Sequence, residues 1–328
     1  MYRLASLVAS LALLAGHLPA AHAQQPAADA RRIGFLGPSG GAPNTLPLLD
    51  VLRKALAEAG RVDGKDIVIE SRWPPPDRLD RLADSVSELM AFKPAVIVAI
   101  GATAARAAMA AGGDVPVVYA VVVDPVATGL AASMERPGKN ATGATTFDPR
   151  QPERQIDLLK QALPDLKRIA VLDDDGAVTG PSEAIERAAR GANLEVTKHR
   201  AARAKPDFAA ALDAAKAAGA QAIVVVSTPV TTPHRKAIAD AALQRNLPTL
   251  APRDHADAEP LLSYGVSFAE TTRRAASQVH RILGGARAAD LPVETADKPE
   301  LILNLKTAKA LGMAMPPPIV GMATQRVE

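Results

Sequence analysis

The chain has 328 residues, a formal net charge of +3 and no cysteine. Without cysteine there is no disulfide, no thiolate metal site, no cysteine nucleophile and no residue to carry the lipid of a lipoprotein. Its 38 Lys and Arg against 35 Asp and Glu are interspersed in sign, which argues against a nucleic-acid partner.

The N-terminus reads as a secretory signal. Met1-Tyr2-Arg3 is a short basic start, residues 4–18 are almost continuously apolar, and Ala21-His22-Ala23 is a small-x-small cleavage site. The apolar run is shorter than the ~20 residues that span a bilayer, and Pro19 follows it. Residues 1–23 are therefore expected to be removed, leaving a mature chain that starts at Gln24, free of lipid and membrane span, in a periplasm. About 300 residues remain, more than one core usually serves, so two domains are expected. The histidines that stay are His199, His234, His255 and His280, no two of them four residues apart. That spacing gives no metal pair, and no metal or cofactor is expected.

Beyond a polar leader, short apolar runs alternate with longer amphipathic ones. Ile33-Gly34-Phe35-Leu36 is a strand, 48–59 a helix stopped by Gly60, and Ile67-Val68-Ile69 a second strand. Residues 79–92 form a helix with Leu82, Val86 and Leu89 on one stripe. Residues 96–100 form a strand, an alanine-rich helix starts at Thr103, and 117–121 form the next strand. Strands that are apolar throughout are buried on both faces, which implies parallel sheets flanked by helices. The pattern then restarts: helix 152–163, strand 168–172, helix 181–192, strand 195–199, helix 206–218, strand 222–226, helix 233–244, and strands near Thr249 and Leu261. The two halves echo each other, so the fold class is α/β, with two similar lobes built in sequence. A tail follows, with a helix 271–283 ended by Gly284-Gly285, a strand 301–303 and a short helix 305–311. It is placed to cross between lobes. The expected division is 31–147 with about 268–290 for one lobe, and 148–267 with about 291–328 for the other.

Open parallel sheets bind ligands beyond the carboxyl ends of their strands. The residues at those positions are Gly37 to Gly41, Gly101-Ala102-Thr103, Val123-Asp124-Pro125, Asp173-Asp174-Asp175, Ser227-Thr228-Pro229, Pro252-Arg253-Asp254 and Ser263-Tyr264-Gly265. The candidates for ligand contact are Ser39, Thr103, Asp124, Asp174, Ser227, Ser263 and Tyr264. Hydroxyls beside free backbone N–H groups at a helix start suit a carboxylate, and lone acids suit an amine. Each has a plainer use: Ser39, Thr103 and Ser227 as helix N-caps, Asp124 as the start of a turn before Pro125, and the Asp173–Asp175 triplet as a solvated loop. Gly37 to Gly41 also matches the G-x-S-x-G of a hydrolase nucleophile elbow. Pro43 and Pro47 are expected to hold that strand and the next helix apart, against such an elbow. No nucleotide-binding glycine pattern occurs.

Longer stretches carry a family resemblance. Asp124-Pro125-Val126-Ala127-Thr128-Gly129-Leu130, Arg136-Pro137-Gly138-Lys139-Asn140-Ala141-Thr142-Gly143, Leu262-Ser263-Tyr264-Gly265, Leu291-Pro292-Val293-Glu294 and Lys306-Thr307-Ala308-Lys309-Ala310-Leu311-Gly312 are similar to the ABC transporter substrate-binding proteins related to the tryptophan-binding importer component. The resemblance runs from about Arg32 to Glu328. It implies a type I periplasmic-binding-protein fold, with two Rossmann-like lobes, crossover strands as a hinge, and a cleft lined by the loops at Ser39, Thr103, Asp124, Ser227 and Ser263. It implies a small-molecule ligand, amino acids included, delivery to a permease and its ATPase, no catalysis and no cofactor. A monomer is expected. Where relatives often carry an aromatic with Asn and Pro, this chain has Asp173-Asp174-Asp175-Gly176. An acidic patch there would favour a ligand with a cationic group. The alternatives are a periplasmic sensor that signals to a receptor, and a serine hydrolase using Ser39.

Overall fold

The computed structural model describes residues 30–38, 42–75, 78–111, 113–146, 148–175 and 179–328. The expected signal, Gln24 and Ser39 lie outside the described residues.

The first half builds one sheet. Strands β1 (Arg31–Leu36), β2 (Ile67–Arg72), β3 (Val96–Ile100), β4 (Val117–Val122) and β5 (Ala141–Thr145) pair in parallel in the order β2-β1-β3-β4-β5. Helices α1 (Ala42–Glu58), α2 (Leu82–Ala91) and α3 (Gly101–Ala111) cover it. The stripe expected on α2 is real: Leu82, Val86 and Leu89 are buried with Ala104, Ala105 and Ala108 of α3 against Leu36, Ile97 and Ala99. On the other face Leu49, Leu52 and Leu56 of α1 pack against Ile33, Phe35 and Val98.

The second half repeats the plan. After α4 (Gln151–Ala162) come β6 (Arg168–Asp174), α5 (Thr179–Gly191), β7 (Glu195–Ala201), α6 (Phe208–Ala217), β8 (Ala222–Val225), α7 (Arg235–Gln244), β9 (Thr249–Pro252) and β10 (Leu262–Gly265). Their order is β7-β6-β8-β9-β10, again parallel. Helices α4 and α5 cover one face, and α6 and α7 the other.

The tail serves both sheets. Helix α8 (Phe268–Leu283) returns to the first, where Ala275, Ala276, Val279 and Ile282 join the core under α1. Strand β11 (Glu294–Thr295) extends that sheet beside β5. Strand β12 (Glu300–Asn304) then enters the second sheet antiparallel to β10, followed by α9 (Leu305–Ala310), α10 (Pro317–Met322) and β13 (Gln325–Val327) beside β12. The chain thus passes between the sheets three times, at 146–150, 266–267 and 296–299.

Two expectations need correction. Helix α1 begins at Ala42, not at 48, and holds Pro47 inside it. A proline in a first turn loses no bond because its N–H would be unpaired there, while one further in forfeits a single helical bond. Pro43 and Pro47 therefore do not hold strand and helix apart. Strand β6 also runs two residues further than its apolar run, through Asp173 and Asp174.

Candidate ligand-binding site

Each sheet has one place where the chain leaving two adjacent strands diverges toward opposite edges of the sheet. In the first sheet it lies between β1, which leads to α1, and β3, which leads to α3. In the second it lies between β6, which leads to α5, and β8, which leads to α7. Open α/β sheets bind ligands at such switch points, at the carboxyl ends of the strands.

At the first switch point β3 passes into α3 without a loop. Gly101 makes that turn at φ +81°, a left-handed conformation that costs a residue with a Cβ. Thr103 lies half-buried inside the first turn, so it is not the N-cap. Asp124 follows β4 by two residues and is half-buried. Its Oδ1 accepts the backbone N–H groups of Val126 at 3.0 Å and Ala127 at 2.8 Å, while its carbonyl oxygen accepts the Thr128 hydroxyl at 2.6 Å. That is an Asx-turn, and it orients the carboxylate. Val123 and Val126 stand exposed on either side of it.

At the second switch point Asp173 and Asp174 are fully buried, so this stretch is not a solvated loop. Nor is it a bare acidic patch. Asp173 meets Arg200 at 3.2 Å and Lys198 at 3.8 Å, and Asp174 meets Arg203 at 3.2 Å. Burial pushes the Asp173 carboxyl above its ordinary range, against the Ser182 hydroxyl, Arg200 and Lys198, which pull it down. Asp175 is exposed, and its Oδ1 accepts the Arg203 backbone N–H at 3.1 Å. Lys198 and Arg200 sit two apart on β7, hence on one face of it, opposite Val171 and Asp173 in the register. That alternation of Lys198 and Arg200 is the sequence signal that could have found the cluster.

Ser227 follows β8 and bonds to Thr232 at 3.2 Å, eight residues before α7, so it is not the N-cap either. The loop behind it is braced by its own threonines. Thr228 Oγ1 accepts the N–H groups of Val230 and Thr231, and the Thr231 hydroxyl donates to the Val226 carbonyl at 2.6 Å. Ser263 and Tyr264 lie within β10 and are buried. Tyr264 packs into the core under α4, with Arg154 as its hydrogen-bond partner. The structure thus brings Thr103 and Asp124 to the ends of the first sheet and Asp174 and Ser227 to the switch point of the second, while Ser263 and Tyr264 stay inside a strand. Among the described residues no group of His, Asp and Glu is placed to hold a metal.

The family described as ABC transporter substrate binding protein matches residues 43–327. A tyrosine-binding protein of Clostridioides difficile (strain R20291) is 27% identical over 269 residues, 79% of this chain and 75% of that protein. Among solved structures, an ABC domain from Streptococcus pneumonia in complex with L-Trp has a TM-score of 0.82 at 22% identity, covering 91% of this chain and 100% of that one. A conserved domain protein from Vibrio cholerae has a TM-score of 0.81 at 22% identity, covering 90% and 99%. These structures share the two-sheet fold of the type I periplasmic binding proteins. With the family match across most of its length, the chain belongs to the ABC transporter substrate binding proteins, which bind a small ligand rather than transform it.

Proposed function

We propose that this protein captures a small polar solute, an amino acid or a related amine or carboxylate, between two lobes in the periplasm and delivers it to the permease and ATPase of an ABC importer. The observation that carries this reading is the pair of switch points, one in each sheet, joined by three connections about which two lobes could close. The tail boundary belongs near 295 rather than the expected 290, because β11 pairs with β5, so the lobes in this reading comprise residues 31–147 with 268–295, and 148–267 with 296–328. The tyrosine-binding relative supports an amino-acid ligand. The ion-paired Asp173–Arg200 and Asp174–Arg203 cluster in place of an aromatic floor argues against copying a flat ring as the preferred side chain. Native mass spectrometry of freshly purified protein, followed by calorimetry against a panel of amino acids and amines, tests the reading. No carried-over molecule and no binding across the panel would reject it. Small-angle scattering with a bound solute should show compaction, because a ligand that bridges both lobes favours the closed state.

Asp124 is the anchor we assign to the ligand's amine. Asn at this position keeps an Oδ1 acceptor for the Val126 and Ala127 amides, so Asp124→Asn should keep the turn and the thermal transition. It loses the charge, and charge-assisted hydrogen bonds are the stronger kind. Affinity should fall about tenfold, or 1.4 kcal/mol, by calorimetry with the identified solute. Binding within threefold of wild type would leave Asp124 a turn former only.

The exported protein should begin at Gln24. Mass analysis of periplasmic material checks this, and an uncleaved chain held in the membrane fraction would reject the location. No helix among the described residues is long and apolar enough to cross a membrane.

A further inference from the structure

We propose that Arg253 and Asp254 form a clasp on the connections between the two sheets, and that the charge on Asp254 sets how firmly α8 is held to the second sheet. Both residues follow β9 directly, in a turn of 3-10 helix at 253–258. Asp254 Oδ2 accepts the backbone N–H of Phe268 at 2.9 Å. Phe268 is the first residue of α8, a helix packed into the core of the first sheet, so this bond spans the connection at 266–267. The Arg253 guanidinium donates to Glu300 Oε2 at 2.6 Å. Glu300 opens β12, immediately after the connection at 296–299. Two neighbouring side chains thus hold two of the three passages between the sheets.

The hold through Asp254 depends on charge for a physical reason. The N-terminus of a 16-residue helix carries partial positive charge and favours an anion. An ionised carboxylate is also a stronger acceptor than a protonated one. While the carboxyl stays buried, losing the charge weakens its bond to Phe268 and so its hold on the start of α8. The charged groups around the carboxylate are Arg253 beside it, Glu300 of β12, Asp257 one turn on, and Arg235 of α7. Burial outweighs the Phe268 amide and Arg253 and lifts the carboxyl to about 6, so the charge changes at mildly acidic pH. The consequence for solute capture, a hinge whose hold changes at mildly acidic pH, rests on the two-lobe reading above. The clasp itself does not.

The test uses the full mature chain, ¹⁵N-labelled and with no solute added, followed by NMR from pH 5 to 7.5. The Phe268 amide should shift with a midpoint near 6. The Ala296 amide, at the other held connection, should shift with the same midpoint, which a purely local change at residue 268 would not produce. In Asp254→Asn both shifts should vanish while the rest of the spectrum stays native. If that variant does not fold, the ¹³C shift of the wild-type Asp254 carboxyl gives its midpoint directly. A carboxyl midpoint below 5, a Phe268 titration unchanged in Asp254→Asn, or an Ala296 amide that stays still would each overturn the proposal. Because no solute is present, a failure to find the ligand leaves this result untouched.

Discussion

Replacing Gly143 by alanine should destabilise the protein by about 3 kcal/mol or more, at the upper end of what overpacking usually costs. Gly143 lies in β5 beside β4, where the register shifts between Tyr119 and Val122. A Cβ there would sit 2.0 Å from the Tyr119 carbonyl oxygen and 2.7 Å from both its amide nitrogen and its ring. Two of those three atoms are backbone. They are held by a ladder whose strands stand about 4.8 Å apart, and they cannot retreat as the tip of a flexible side chain would. Tyr119 is itself fully buried, so its ring has nowhere to go. Gly191→Ala is the control. It sits at the exposed end of α5 with nothing within 4 Å of the added methyl, and should be neutral or stabilising by up to about 1 kcal/mol. Urea unfolding of both variants decides. A loss below 1 kcal/mol in Gly143→Ala would mean that β4 and β5 can part, and that this close approach is not a constraint on the sheet.

The same residues show why some of the fold was legible and some was not. Strands such as 96–100 and 222–225 stand out because each position is apolar and buried, and the two runs of strands and helices separate cleanly into two sheets. Strand β5 reads Ala-Thr-Gly-Ala-Thr and carries no large apolar residue, because close packing on Tyr119 demands small ones. A search for apolar runs passes over it. Asp173 and Asp174 were misplaced for the opposite reason. Hydropathy ends β6 at Leu172, but Arg200 on the neighbouring strand and Arg203 just beyond its end let two carboxylates stay in the ladder. Pairings across strands of that kind depend on register, which a single sequence does not display. The site was legible as a set of strand ends. Which hydroxyl or carboxylate is turned inward was not, since Ser227 and Asp124 each use local hydrogen bonds that no spacing rule distinguishes from ligand contacts.

Two adjacent residues should give opposite pH dependences that largely cancel in the wild type and separate in single variants. Asp254 has its carboxyl raised from 3.8 to about 6, chiefly by burial. The folded protein therefore holds this proton more tightly than the unfolded chain does. The stability this gives is full below 3.8 and is lost as pH rises through 6. His255 has its imidazole lowered from 6.5 to about 4, chiefly by burial and then by Arg235. Folding keeps it neutral, so its contribution is full above 6.5 and is lost as pH falls through 4. Each difference is worth about 3 kcal/mol at 1.36 kcal/mol per pKa unit, and the two windows overlap between pH 4 and 6. With Asp254→Asn the histidine acts alone, so relative to wild type the stability should fall by about 3 kcal/mol on acidification from pH 6.5 to 4. Asn retains an acceptor for the Phe268 amide, which separates the loss of charge from the loss of the bond. With His255→Gln the carboxyl acts alone, and the stability should rise relative to wild type over the same range. Gln keeps a polar group for Thr232, whose hydroxyl lies 3.2 Å from the His255 ring nitrogen. Urea unfolding of the three proteins at half-unit pH steps gives the differences directly, with the contributions of all other carboxylates common to each. Difference curves that stay flat, or that slope the same way in both variants, would show that burial does not hold these two groups in the ionisation states assigned to them.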